Sequence, residues 1–298
     1  MNDFLQLVLA GSALGARYAL VALGFVVIYR ATGVINFAQG AFVALGAYLT
    51  YQFNVTWALP FAIAVLLAMF TSAAVGAGIE RAVLRKVIGR PVFAVIMITV
   101  GLLFLIDQII TTIWGFQSLN LGDPWGVRTS AIGELVLSHR DMWTLALAAA
   151  VLGGFFLLFR FTGLGLAMRA TALDQEAAMA RGIDVRKVFA ASWAIAAAVA
   201  ALAGITIASG PAALNPGVGL IALAAFPAMI LGGLDSPLGA VVGGLLIGIT
   251  QTLTAGYQPE HAAWLGQNFH VVMPYAVMIV ILMVRPFGLF GTKEVVRL

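Results

Sequence analysis

Few side chains in this 298-residue chain can do polar chemistry, and the longest solvated run among them is Arg169 to Lys187, R-A-T-A-L-D-Q-E-A-A-M-A-R-G-I-D-V-R-K. Asp174 stands where an N-cap would satisfy free N–H groups, Glu176 falls in the first turn, Arg181 in the last, and Gly182 follows as terminator. That spacing predicts a short, self-contained helix. Ala177, Ala178 and Ala180 keep its surface small enough to seat in a groove, with Arg181 and the acidic pair at the rim. Two readings follow: a docking element for another protein, or a solvated loop whose charges fix membrane topology. No comparable set exists for catalysis. Cysteine is absent, and His139, His261 and His270 are scattered, which excludes disulfides, thiolate chemistry and a thiol or imidazole metal cluster. No convergent nucleophile, acid and base can be assembled, so the chain reads as a non-enzyme without a metal or cofactor.

Five further polar groups lie within or beside apolar runs. Asn36 and Gln39 carry amides that need a partner, either another helix or a passing polar solute. Arg17 and Asp107 are the ionisable residues placed deep in spans, at similar depth and of opposite sign. They read either as an ion pair with each other or as groups lining a solute path. Asp107 alone would suggest proton coupling, but a relay needs several titratable neighbours. Asn215 lies in G-P-A-A-L-N-P-G-V-G, from Gly210 to Gly219, whose prolines and glycines leave backbone groups unpaired by a helix. Such backbone is tolerated at membrane depth only inside protein or beside water, which makes the stretch either a second path candidate or an outer turn.

The elements that must hold these groups are membrane spans. The chain is 62% hydrophobic, 9% charged and has a mean hydropathy of +1.04. That composition cannot make a water-soluble surface. Runs of roughly 20 apolar residues occur at Leu5–Tyr29, Val34–Phe53, Leu59–Ile79, Phe93–Trp114, Met142–Phe161, Val188–Ala208 and Leu238–Tyr257, with a shorter one at Val271–Val284. Leu220–Leu234 is also short and meets Leu238 through G-G-L-D-S-P, the pattern of a broken or re-entrant hairpin near 220–257. The expectation is an all-α polytopic membrane protein of about eight to nine spans, one domain over 1–298. Asp3, and the lack of Lys or Arg before Arg17, argue against a cleavable signal peptide, so the first span is expected to be retained.

Basic residues set the orientation. Arg30, the Arg81–Arg90 cluster, the Arg160–Lys187 cluster and the tail with Arg285, Lys293 and Arg297 fall on one side, leaving Arg128 and Arg140 opposite. The positive side is cytoplasmic, which puts the N-terminus outside and the C-terminus inside. A net charge of +4 is therefore a topology signal, and nucleic acid is not indicated. Gln117 to Asp141 becomes an outer segment with turns at Gly122, Pro124, Trp125 and Gly126.

Several stretches together resemble the H-type permease subunit of high-affinity branched-chain amino acid (leucine, isoleucine, valine) ABC importers. They are Y-A-L-V-A-L-G-F (18–25), T-G-V-I-N-F-A (32–38), G-G-L-D-S-P-L-G-A-V-V-G-G (232–244) and R-P-F-G-L-F-G (285–291). Glu176, Ala177, Ala178 and, after three residues, Gly182 are similar to the E-A-A-x-x-x-G loop by which such permeases seat in a cleft of the ATP-hydrolysing subunit. The chain departs from the family's usual His and acidic residue after I-N-F-A, having Gln39 and Ala41. The resemblance implies a bacterial inner-membrane complex with a second permease, two ATP-binding cassette subunits and an external solute-binding protein. It implies hydrophobic amino acids as cargo, with urea or amides carried by relatives. No G-x-x-x-x-G-K-[ST] loop occurs, so ATP would be held by the partner subunits. An ion-coupled carrier of small solutes is the alternative, distinguished by uptake without ATP.

Overall fold

The computed structural model describes residues 2–87, 90–122, 124–125, 128–132, 135–209 and 213–292. Gly126, the Gly210–Pro211 start of the Pro/Gly-rich stretch, and the tail residues Lys293 and Arg297 lie outside them. The helices are α1 (Asn2–Thr32), α2 (Gln39–Tyr51), α3 (Phe61–Ala82), α4 (Val92–Trp114), α5 (His139–Phe161), α6 (Gly163–Leu173), α7 (Gln175–Ala180), α8 (Val185–Ala208), α9 (Ile221–Gly232), α10 (Pro237–His261) and α11 (Phe269–Val284). Among the described residues, 6 helices are long and apolar enough to cross a membrane: α1, α3, α4, α5, α8 and α10.

The core forms where α1, α2 and α8 meet, and these three are buried along most of their lengths. Leu66 and Phe70 of α3, Phe104 of α4 and Leu157 of α5 instead face outward. Such an inverted exterior suits hydrocarbon rather than water. Because hydrocarbon gives helices no hydrophobic reason to associate, close backbone approach must hold them, and small residues supply it. Gly11 and Gly15 do so on α1. A Cβ at Gly11 would sit 2.7 Å from Ile249 Cα, and one at Gly15 2.7 Å from Leu245 Cα, both on α10. The one-turn spacing of the two glycines is what lets α10 approach α1 this closely.

Two expectations need correction. The outer segment is not wholly helix and turn, since β1 (Thr129–Ile132) pairs antiparallel with β2 (Leu135–Ser138), Thr129 opposite Ser138. The side chain of Gln6 clamps β2 to α1, donating to Val136 O at 2.6 Å and accepting from Val136 N at 3.0 Å. The backbone of β2 is therefore satisfied by β1 and by a side chain of α1. The expected single run Val34–Phe53 is also broken. Helix α1 stops at Thr32, residues 33–38 run without regular structure, and α2 begins only at Gln39, continuing into a π-helical turn over Gln52–Thr56.

Candidate functional site

The Arg169–Lys187 segment folds as three capped pieces. Thr162 caps α6 by accepting from Gly165 N at 3.1 Å, Asp174 caps α7 by accepting from Ala177 N at 2.9 Å, and Asp184 caps α8 by accepting from Lys187 N at 3.3 Å. Each satisfies a first-turn N–H that the helix leaves without an acceptor. The end of α7 is closed by the double bond pattern of a Schellman turn, Ile183 N to Ala178 O at 3.0 Å and Gly182 N to Met179 O at 2.9 Å. Gly182 takes φ +83, as that turn requires. Arg181 is the residue just beyond α7 rather than in its last turn. Ala178 is buried against Ala31, Val185 and Phe189 of its own chain, which leaves Glu176, Ala177, Met179 and Ala180 on the open face. The Lys187 N–H holds the Asp184 carboxyl below its ordinary range.

A second arrangement forms where two chain breaks meet. Gln39 stands level with Ala196, near the middle of α8, and donates to its carbonyl at 3.4 Å. Room for the amide comes from Gly24 on α1, where any Cβ would collide with Gln39 Nε2. One helical residue on, a Cβ at Gly40 would lie 2.5 Å from Gly219 O, in the 3₁₀ turn Pro216–Leu220 that leads into α9. Asn215 caps that turn, accepting from Gly217 N at 2.9 Å. The two stretches are enclosed unequally: Asn36 and Ala38 of the first are buried, whereas none of residues 216–220 is, and Gly217 and Leu220 are exposed. Two polar atoms here have no partner: Asn36 Nδ2 and Gln39 Oε1, on side chains 1% and 0% exposed. Asn36 Oδ1 is used, accepting from Ala38 N at 3.0 Å, while Thr99 Oγ1 of α4 accepts from Phe37 N at 3.2 Å.

The expected pairing of Arg17 with Asp107 is overturned. Arg17 Nη2 donates to Asp141 Oδ1 at 2.9 Å, because α1 packs on α5 and the first turn of α5 presents Asp141 to it. Arg140, next in sequence, donates to Ile207 O at 2.9 Å and ties α5 to α8. Asp107 lies on α4, which packs on α2, and makes no salt bridge among the described residues. Gln39 and the turn capped by Asn215 are thus brought close through the Gly40–Gly219 contact, while Arg17 lies at the middle of α1, turned to α5.

Below the break at 33–38, a cavity of ≈ 170 Å³ opens toward the basic end of the bundle, and Asn36, Glu80, Arg90 and Gln175 are among its walls. Glu80 is 1% exposed and bound by Arg85, Nη2 to Oε2 at 2.9 Å and Nε to Oε1 at 3.4 Å. Sequence reasoning passes over Glu80. Its signal is a lone carboxylate where an apolar span runs into a basic cluster.

A bundle built on buried polytopic helices, with broken helices meeting at its middle and capped pieces at its basic end, defines a membrane transport protein. Residues 7–282 match the family described as branched-chain amino acid transport system, permease component, and the chain belongs to that family. Its similarity to named relatives extends over nearly the whole length. It is 29% identical to the high-affinity branched-chain amino acid transport system permease protein LivH of Salmonella typhimurium, over 98% of this chain and 97% of that one. The LivH protein of Escherichia coli K12 gives the same identity and coverage, and BraD of Pseudomonas aeruginosa is 28% identical over 98% and 97%. In fold it is similar to a chain of PsaBC from Streptococcus pneumoniae in complex with Fab, with a TM-score of 0.50 at 14% identity, covering 95% of this chain and 92% of that chain.

Proposed function

We propose that this chain is a single-domain permease subunit that carries branched-chain or other hydrophobic amino acids, working with a related second permease, two ATP-binding cassette subunits and an external solute-binding protein. ATP is bound and hydrolysed in those partners. The N-terminus lies outside and the tail beyond Arg285 inside, in a bacterial inner membrane. Nine crossings satisfy this parity: the 6 long helices, the break at 33–38 continued by α2, the 213–220 stretch continued by α9, and α11. Two of the nine are thus half irregular chain and half helix, and Gly40 and Gly219 touch where they change over. Asn36, Gln39 and Asn215 line the solute path there, in the manner of discontinuous helices that present free backbone ends and amides to a substrate. Arg17, with Asp141, holds its outer rim, and Asp107 faces the path from α4.

The observation that carries this reading is α7. A helix of 6 residues is too short to persist alone, yet both its ends are closed by its own chain. One side is anchored on α1 and α8 and the other carries Glu176, Ala177 and Ala180 to a partner. ATP hydrolysis elsewhere can move such an element and, through it, the spans. Uptake of L-leucine into vesicles holding the purified complex should need both ATP and the binding protein. Uptake driven by an ion gradient alone would replace this reading with a secondary carrier. Ala177→Asp, which forces an unpaired charge into the partner's groove, should abolish recovery of the ATPase subunit at unchanged membrane levels.

A further inference from the structure

The cavity between the break at 33–38 and α7 combines two kinds of lining. Ile35, Leu84, Val95 and Trp193 make its apolar part. Asn36 presents an Nδ2 donor that is buried and has no acceptor, a condition that native structures avoid unless something else supplies one. Arg90 brings a cation from the start of α4, and Glu80 an anion from the end of α3. Arg85 occupies one side of Glu80, and the carboxylate keeps acceptor capacity on the other. At ≈ 170 Å³ the space is below the roughly 300 Å³ where drug-sized sites begin, and holds about six waters at ~30 Å³ each. A nucleotide or peptide is too large. An inorganic anion would meet Glu80, and a hydrocarbon would leave Asn36 unsatisfied.

We propose that this cavity binds a free amino acid with an aliphatic side chain, from the side of the membrane that carries α7, and that its occupancy restrains α7. The carboxylate lies between Asn36 Nδ2 and Arg90, the ammonium against Glu80, and the side chain against Val95 and Trp193. Gln175, the first residue of α7, forms one wall, so a ligand that touches it favours one position of α7 over another. The site rests on the transport reading for its consequence: accumulated product on the inner side slows the coupling element.

Two measurements test it, with L-leucine as the probe. In vesicles holding the full complex, with binding protein and L-leucine inside, L-leucine added on the α7 side should depress ATP hydrolysis. Val95→Phe fills the apolar part without touching a polar group. It should shift half-inhibition about tenfold or more upward while leaving the uninhibited rate unchanged. Purified chain in nanodiscs, without binding protein, should bind L-leucine directly. There Asn36→Asp, which keeps the acceptor for Ala38 N but replaces the donor with negative charge, should weaken binding about tenfold, or 1.4 kcal/mol. 4-Methylpentanoate and isopentylamine, which are leucine without its ammonium and without its carboxylate, should bind at least as much more weakly. Absence of L-leucine binding to the unsubstituted chain, or binding indifferent to both substitutions, overturns the site. If uptake still requires ATP and binding protein, only this inference falls; if uptake runs on an ion gradient, the transport reading falls while nanodisc binding judges the cavity by itself.

Discussion

The α7 segment and the Gly40–Gly219 junction are both departures from membrane-spanning helix, yet opposite physics makes them. Around α7 the cap and turn bonds reach at most five positions: Asp174 to Ala177, Ala178 to Ile183, Met179 to Gly182. At the junction the short caps Asn36 to Ala38 and Asn215 to Gly217 are joined by partners distant in sequence: Phe37 with Thr99, Gln39 with Ala196, Gly40 with Gly219, and Leu119 with Leu214 through a reciprocal pair of 2.8 and 2.9 Å backbone bonds. Local closure makes an element that can move as a unit. Long-range closure makes one that cannot shift without disturbing several helices, which suits a path that opens only when the bundle rearranges.

The comparison breaks most readily at Gly40. Gly40→Val would drive a branched side chain into Gly219 O and Ala222, where backbone must yield, at a cost of about 3 kcal/mol, the upper end of overpacking. The purified chain should melt several degrees lower and lose transport. An unchanged melting temperature would mean that the two breaks do not touch.

How legible each region was follows from the same contrast. Asp174, Glu176 and Gly182 could be assigned to their positions because caps are sequence-local. Ala178 could not be told from Ala177 and Ala180, since which alanine faces its own chain depends on Phe189 and Ala31. Asn36 and Gln39 were conspicuous as amides in apolar surroundings. That Asn215's turn would join them was not, because nothing in either stretch encodes a contact across the 178 residues between Gly40 and Gly219. The Arg17 and Asp107 pairing failed for the same reason. Depth and opposite sign make two charges compatible, but helix packing chooses the partner, and α1 lies on α5 while α4 lies on α2.

That lesson gives the next prediction. Arg17→Leu should cost about 2 kcal/mol, below the roughly 3–5 of a fully buried pair, since the Asp141 side chain keeps 31% of its exposure. Adding Asp141→Leu should recover part of the loss. Combining Arg17→Leu with Asp107→Leu should simply sum the singles. Melting of the three single and two double variants decides, and additivity with Asp141 would sink the assignment.

Gly182→Val sharpens the other side of the comparison. Nothing lies within 4 Å of a Cβ there, so the penalty is the left-handed φ alone, about 1–2 kcal/mol. The strain falls on a helix of 6 residues rather than on the bundle. Melting should move little, while recovery of the ATPase subunit and ATP-driven uptake both fall. Equal recovery at equal membrane levels would reduce α7 to a topological loop. A large melting shift would instead show that the segment is not energetically separate from the spans.

The smallest expected effect is at Asp184, where local closure can be titrated. Its carboxylate accepts from Lys187 N and pairs with Lys187 Nζ at 3.4 Å on an exposed surface, and the backbone bond first, then the charge, hold its pKa below the ordinary 3.8. A depressed folded pKa contributes stability that is complete above the unfolded value and disappears as pH falls through the folded one. The start of α8 should therefore stay closed from pH 7 down to about 4, and fray only in stronger acid. Protection of the Lys187 amide against hydrogen exchange, expressed as a factor so that intrinsic rates cancel, should be flat across that range. Asp184→Asn supplies an equally good cap that cannot ionise, and its protection should match the parent at pH 7 and exceed it in acid. Loss of protection already at pH 5 in the parent would mean that the cap is not held by the carboxylate. The start of α8 would then depend on the bundle, as the Gly40–Gly219 junction does, and the separation between the two regions would end at Lys187.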